Sequence, residues 1–464
     1  MKGDVPPVLT IADAARLIAS RKLSPVELTR ALLARIEAVD PRLNAFLLVT
    51  AKQALAAARA AEKALAEGRK SPLLGIPVAY KDIFETAGIR TTAHSRILQD
   101  NVPKQDAETV RRLQAAGAVM LGKLATHEFA IGGPATDLPW PPARNPWDTA
   151  RFTGGSSSGS GAAVAAGLAL GALGSDTGGS IRLPAAYCGI AGLKPTPGLV
   201  SRRGVIALAP SLDTVGPMAW TAEDCAILLD VLAGHDPLDP ASLPGPGGSY
   251  TAALRTPLTG LRVGLLRRAW EREVPVSPET RQMLDTAAAT LRDLGCRVED
   301  AVLPPVQEYN AVGRVLISAE AFALHEATLK TRLAEYSRVF RIRVLGGALI
   351  RAADYIAAQR RRTDLIAQTA AAFGKFDVLV SAPTAGAAPL LGDQRPDEGF
   401  SKPFLTTVAN VAAIPSLVVC GGFTAAGLPL GLEIMGPAWG DATVLRVGHH
   451  FEAAAGTRTR RPTL

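Results

Sequence analysis

The chain has 464 residues, 48% hydrophobic and 20% charged, which allows a large core without disulfides or metals and excludes a disordered chain. Its formal charge of +8 comes from 50 basic against 42 acidic residues. The basic residues are scattered, aromatics are only 5%, and no base-reading motif appears, so the pattern points to solvated helix faces rather than a nucleic-acid track.

Cys188, Cys225, Cys296 and Cys420 have neither metal-ligand spacing nor the look of a secreted disulfide framework, and suit a reducing compartment. Residues 1–10 lack an apolar signal core, and the longest apolar run, 162–173, is too short to span a bilayer. A cytoplasmic protein without membrane contact is expected.

In chain order, Ser24-Pro25-Val26-Glu27 reads as a capping box with proline at the first helical position. Val26, Leu32, Leu33, Ile36 and Val39 follow at helical spacing, and Asp40-Pro41 is the expected stop. A second helix is predicted over 51–67, closed by Gly68, and a buried strand over 73–80, entered through Pro77. A helix over 107–115 and a strand over 119–121 precede an irregular, Pro- and Trp-rich segment, 132–153. Beyond a Pro/Gly/Asp-rich connection at 235–248, strands are predicted at 261–266, 297–303, 376–380, 417–420 and 430–435. Helices are predicted at 277–294, across most of 318–369, and at 441–454. Strands and helices alternate without an internal repeat, so the class is α/β with a largely buried sheet, read as one domain.

The unusual stretch is 154–195. It holds Gly154-Gly155-Ser156-Ser157-Ser158-Gly159-Ser160 and then Asp176-Thr177-Gly178-Gly179-Ser180-Ile181-Arg182. A phosphate loop would need a Gly-Lys-Ser/Thr ending or a spaced glycine fingerprint, and has neither. A flexible linker would not sit between the apolar run 162–174 and Tyr187, Cys188, Ile190 and Leu193. Acyl transfer fits better. Two glycines before Ser180 let successive N–H groups converge beside a hydroxyl. Gly155 to Gly159 also matches the G-x-S-x-G elbow around Ser157, although no clear strand precedes it. A lysine base must be neutral, hence buried. Lys81 closes an apolar run and suits that need; pattern alone leaves it open between a base and a lysine snorkelling from a strand end.

These stretches resemble the amidase signature family of serine hydrolases. The likeness spans nearly the whole chain: Gly75-Ile76-Pro77-Val78 with Lys81-Asp82, Gly122-Lys123, Asn145-Pro146-Trp147, both serine stretches, Gly192-Leu193-Lys194-Pro195-Thr196, Asn410, Pro415 and Gly427-Leu428-Pro429. It implies a single large domain over 1–464 with a central mixed β-sheet covered by helices on both faces. Its expected segments are a helical start to about 70, a core over 71–235, a helical insertion over 310–372, and final strands and a helix over 373–456.

It further implies Ser180 as nucleophile, Ser156 as bridging serine after a cis peptide bond, and Lys81 as base. The oxyanion hole falls to the backbone N–H groups of Thr177, Gly178, Gly179 and Ser180. No cofactor or metal is implied. Departures from the family pattern fall at Ser158, at His127, where relatives often carry an acid, and at Glu433, which replaces a common glutamine.

The expected activity is hydrolysis of neutral amides, extending to esters or carbamates. The expected partner is a small amide-type molecule, with no nucleic acid and no membrane, and a homodimer left open. The alternative is a chain like the glutamyl-tRNA amidotransferase A protein, which releases ammonia from glutamine with partner chains. Such proteins hold the glutamine ammonium with an acid seven positions before the residue matching Asn410, and here that position is Pro403.

Overall fold

The computed structural model describes residues 9–394 and 403–464. Most of the 1–10 segment read for a signal core therefore lies outside the described residues. Ser24 caps the helix Pro25–Leu43, its Oγ accepting from the N–H groups of Val26 and Glu27, each at 3.1 Å. The helix runs past the expected stop, because a proline in the last turn removes only one backbone bond. Asp40 then takes the next donors, Ala45 N at 2.8 Å and Phe46 N at 3.2 Å, and Asn44 turns left-handed to end the helix.

Among the described residues the strands are β1 (Phe46–Val49), β2 (Pro77–Lys81), β3 (Val119–Leu124), β4 (Arg144–Asn145), β5 (Asp148–Phe152), β6 (Gly171–Asp176), β7 (Ala191–Lys194), β8 (Thr214–Ala219), β9 (Arg262–Leu265), β10 (Arg297–Asp300), β11 (Val378–Ser381), β12 (Ser416–Phe423) and β13 (Pro429–Met435). Eleven of them form one sheet in the order β1-β3-β2-β6-β8-β7-β12-β13-β11-β9-β10, while β4 and β5 form a separate hairpin. The sheet is mixed: β3, β2 and β6 run parallel, as do β11, β9 and β10, and an antiparallel block from β6 to β13 lies between. The molecule is thus a single-domain α/β fold built on a large mixed sheet.

The strand expected over 73–80 begins only at Pro77, because the chain before it turns, with Gly75 N donating to Gly117 O at 2.8 Å. The long helix starts at Val306 and runs to Arg332, earlier than the periodicity suggests, and the helices Arg338–Val344 and Ala352–Ala372 follow it. The connection at 235–248 is pinned to the body: Asp236 accepts from Ser201 Oγ and Arg203 Nε, each at 2.8 Å. All four cysteines are buried and free. No helix among the described residues is long and apolar enough to cross a membrane.

β2 and β6 are neighbours and parallel, pairing Val78 with Gly171 and Tyr80 with Leu173. Their carboxyl ends therefore open on one edge of the sheet, the edge where α/β folds place ligands. Lys81 ends β2 and Asp176 ends β6, so both sequence stretches of interest meet there.

Candidate active site

Lys81 is fully buried. Its Nζ donates to Ser156 Oγ at 2.7 Å and to Ser175 Oγ at 2.8 Å. Burial pushes its pKa down to about 7, against the fields of Asp213 and Asp176. A neutral amine is thus within reach near neutral pH. Ser175 is a partner the sequence reading missed; it sits one residue before Asp176 on β6, and only the β2–β6 pairing brings it to the lysine.

The serine loop follows β5. The Gly155–Ser156 peptide bond is cis. Ser156 O accepts from His127 N at 3.1 Å and from Ser158 N at 2.8 Å. Ser157 N donates to Ser180 O at 3.2 Å, tying this loop to the second serine stretch. Ser157 itself points away into the core, its Oγ donating to Ser175 O at 3.3 Å. The helix Ser158–Ala165 then carries the chain toward β6, with Ser160 Oγ on Leu173 O at 3.0 Å.

After β6 the chain wraps around the Asp176 carboxylate. Oδ1 accepts from Gly179 N at 2.8 Å and Oδ2 from Ile181 N at 3.1 Å. Arg182 clamps the same carboxylate through Nε at 3.0 Å and Nη2 at 2.9 Å. It reaches on to Glu433 Oε1 at 2.6 Å and Thr406 O at 2.7 Å. Burial works against the charge on Asp176, yet Arg182 and Asn410 hold its pKa below the usual carboxylate range. Glu433, noted for replacing glutamine, is therefore the second carboxylate of a buried Arg182 knot.

Gly179 has φ +128, and a Cβ there would overlap Thr406, so no other residue fits this turn. Of the four N–H groups expected to form an oxyanion hole, that of Gly179 is directed at Asp176. Those of Thr177, Gly178 and Ser180 find no acceptor among the described residues. Thr177 is fixed through Oγ1 on Asp213 Oδ1 at 2.6 Å.

A cavity of about 230 Å³ opens over this edge. Ser156, Ser180, Thr177 and Gly178 line its floor, and the long helix Val306–Arg332 contributes Asn310, Gly313, Arg314 and Ile317 to its wall. Phe152, Phe404 and Arg343 complete the opening, and Pro403 lies beside Phe404. No carboxylate lines the cavity among the described residues. His127 also faces it. Burial, then Lys81, His94 and Arg343, push the imidazole down to about 3, so it is neutral.

Lys81 and Ser156 are in direct contact, and Ser156 and Ser180 share one cavity. A neutral amine bonded to a hydroxyl beside a second hydroxyl, under unspent backbone donors, is the equipment of acyl transfer. The amidase family model matches residues 27–445. The chain belongs to the amidase family. It is therefore an enzyme acting on C–N bonds.

It is 41% identical to the A chain of the glutamyl-tRNA(Gln) amidotransferase of Roseiflexus sp. (strain RS-1), over 98% of both chains. Among solved structures it resembles the native peptide amidase of Stenotrophomonas maltophilia, with TM-score 0.84 and 34% identity over 98% of both chains. It also resembles the corresponding amidotransferase chain of Thermotoga maritima, with TM-score 0.82 and 30% identity over 97% of this chain and 96% of that one.

These relatives correct the expectation of a small-molecule amide partner with no nucleic acid. Two of them are named as subunits of an enzyme for a tRNA. The scattered charge misled because in an assembly the tRNA track can lie on another chain, so one chain's surface excludes nothing.

Proposed function

We propose that this chain is the amidase component of an amidotransferase, releasing ammonia from the side-chain carboxamide of glutamine for use by a partner chain on a tRNA-borne substrate. The chemistry rests on one observation, the 2.7 Å hydrogen bond from buried Lys81 Nζ to Ser156 Oγ beside Ser180. Neutral Lys81 takes a proton through Ser156 while Ser180 Oγ attacks the carbonyl. The N–H groups of Thr177, Gly178 and Ser180 meet the oxyanion. Ser156 hands its proton to the leaving nitrogen and Lys81 restores it, and water then frees the acyl group. The substrate class is supported by identity along almost the full length of the Roseiflexus amidotransferase chain.

A specific observation favours a second reading, hydrolysis of neutral amides. No described carboxylate in the cavity stands ready for an amino-acid ammonium, and Pro403 occupies the position where the resemblance places an acid in glutamine-using chains. One assay separates the two: ammonia release from glutamine by the chain with its partner chains, beside cleavage of a neutral chromogenic anilide by the chain alone. Glutamine turnover, lost by about 10³-fold or more in Ser180→Ala, upholds the first reading. Anilide cleavage with inert glutamine upholds the second. Full activity in Ser180→Ala removes the nucleophile from both.

A further inference from the structure

The base that takes the Ser180 proton becomes an ammonium inside the protein. On the proposed reading Lys81 is that base, and it is fully buried. Hydroxyl acceptors alone repay little of the hydration such a charge gives up, so it needs a counter-charge. Burial disfavours the ammonium, and two carboxylates offset this, Asp213 and then Asp176. Asp176 is already paired with Arg182, Oδ1 to Nη2 at 2.9 Å. The Asp213 carboxylate accepts from neutral donors: Thr177 Oγ1 at 2.6 Å, Leu208 N at 2.8 Å and Ala209 N at 3.1 Å. All of these partners donate, which suits an ionised carboxylate.

The sheet brings Asp213 to this place. β6 pairs with β8 through Ser175 with Val215 and Asp176 with Thr214. The same antiparallel register, carried one residue further, sets Thr177 opposite Asp213. Two residues back from Thr177 stands Ser175, which accepts from Lys81 Nζ at 2.8 Å. Ser175 and Asp213 also line a second cavity, of about 310 Å³. The other charged groups around Asp213 are few. Arg202 donates to its backbone carbonyl at 3.2 Å, Arg203 and Asp239 stand on the wall of the second cavity, and Glu320 accepts from Ser211 N at 2.9 Å.

We propose that Asp213 is a positioning residue for both halves of the reaction: it fixes Thr177 beside the oxyanion, and its charge stabilises the Lys81 ammonium that forms as Ser180 attacks. This rests on the reading of Lys81 as base and Ser180 as nucleophile. Toward a fluorophosphonate, an electron pair of Ser180 Oγ forms the bond to phosphorus, the P–F bond breaks and fluoride leaves. The Ser180 proton passes to Ser156 as the Ser156 proton passes to Lys81 Nζ. Asp213 keeps its charge throughout and exchanges no proton.

The test is the second-order rate at which a fluorophosphonate labels Ser180 in the full chain, followed against pH. In wild type the rate should rise through about pH 7 to a plateau. Asp213→Asn removes the charge. Its midpoint should move down by about 0.3 to 1 unit, a small shift because Asp213 is only partly buried. Its plateau should fall by about tenfold to a hundredfold. Asp213→Ser, which keeps a small acceptor and carries no charge, should move the midpoint the same way and repeats the test if the Asn amide, set among donors, prevents folding. Asp213→Glu keeps the charge on a longer arm and should return the midpoint to within about 0.2 unit of wild type. Thr177→Val removes the anchor and leaves the charge. Its plateau should fall by about tenfold, with the midpoint within about 0.2 unit of wild type.

A midpoint that stays or rises in the uncharged variants overturns the role of the Asp213 charge. A wild-type plateau in Thr177→Val overturns the anchoring role. A wild type that takes no label, or takes it at a rate flat with pH, overturns the underlying reading of Lys81 and Ser180 instead.

Discussion

Two lysines lie side by side at the ends of neighbouring strands, and they are opposites. Lys81 ends β2 and Lys123 sits on β3, in register with Tyr80. Both are fully buried. Lys123 donates to Phe84 O and to Thr91 Oγ1, the latter at 2.8 Å, and lies 3.6 Å from the buried Asp82 carboxylate. Lys81 instead donates to the hydroxyls of Ser156 and Ser175. Burial lowers both pKa values, to about 8 for Lys123 and about 7 for Lys81. On the proposed mechanism, what separates a structural lysine from a base is therefore not depth but company. A carboxylate at hand commits the ammonium to an ion pair, whereas hydroxyls leave the amine free to trade its proton.

The largest expected effect comes from breaking the Lys81 side. Lys81→Met should cut turnover by about 10²-fold to 10⁴-fold, the usual worth of a positioned base. It should also abolish the alkaline limb of kcat/KM, which in wild type should rise through about pH 7. The same variant carries a stability signature. Between about pH 7 and the ordinary lysine value near about 10.4, the unfolded chain holds the Lys81 proton and the folded chain does not. Folding then releases a proton, and this site's contribution to stability increases as pH rises through that window. Denaturant midpoints followed across that window should show a steeper rise in wild type than in Lys81→Met; parallel curves would mean that Lys81 is not desolvated as described.

Next is the Lys123 side, where the damage should fall on stability. Lys123→Met leaves the Asp82 charge buried and alone, at a cost of about 3–5 kcal/mol in denaturant unfolding. Asp82→Asn added to it should restore part of that loss. Turnover per fluorophosphonate-labelled molecule should stay near wild type. A specific activity that fell with Lys123→Met would erase the contrast between the two lysines.

The smallest effect sharpens the comparison. Ser175→Ala removes one of the two acceptors that favour the Lys81 ammonium. The midpoint of the alkaline limb should move to lower pH, by less than about one unit. Movement upward would show that Ser175 stabilises the neutral amine.

How far the sequence led depends on how local each signal was. Ser24, Ser277 and the apolar spacings behind them marked helix starts to within a residue or two, because capping is contiguous along the chain. β6 and β8 escaped notice. Gly171-Ala172-Leu173-Gly174-Ser175-Asp176 lacks branched residues and alternation, and β8 carries Gly216 and Pro217, which read as punctuation, yet it lies inside the sheet between β6 and β7. A strand buried on both faces and crowded by its neighbours selects small residues, and small residues look like loop. At the site, Lys81, Ser156 and Ser180 were legible as residues in motifs. Ser175, Asp213 and the Arg182–Glu433 contact were not, since they depend on strand pairing and on segments far apart in the chain. His127 stands out in the sequence as a departure from pattern; its ring against Gly155 is a tertiary fact.

The long helix Val306–Arg332 gives the molecule a further property. Asn310, Gly313, Arg314 and Ile317 stand on one of its faces, toward the cavity, whereas the lysine and both serines come from β2 and from the loops after β5 and β6. The groups proposed to react and much of the cavity wall are thus encoded far apart in the chain. Point changes along one helical face alter what enters the cavity while the tightly packed serine loop stays untouched. Selection can therefore exchange substrates and keep the reaction, which makes this architecture a ready source of new enzymes from old ones.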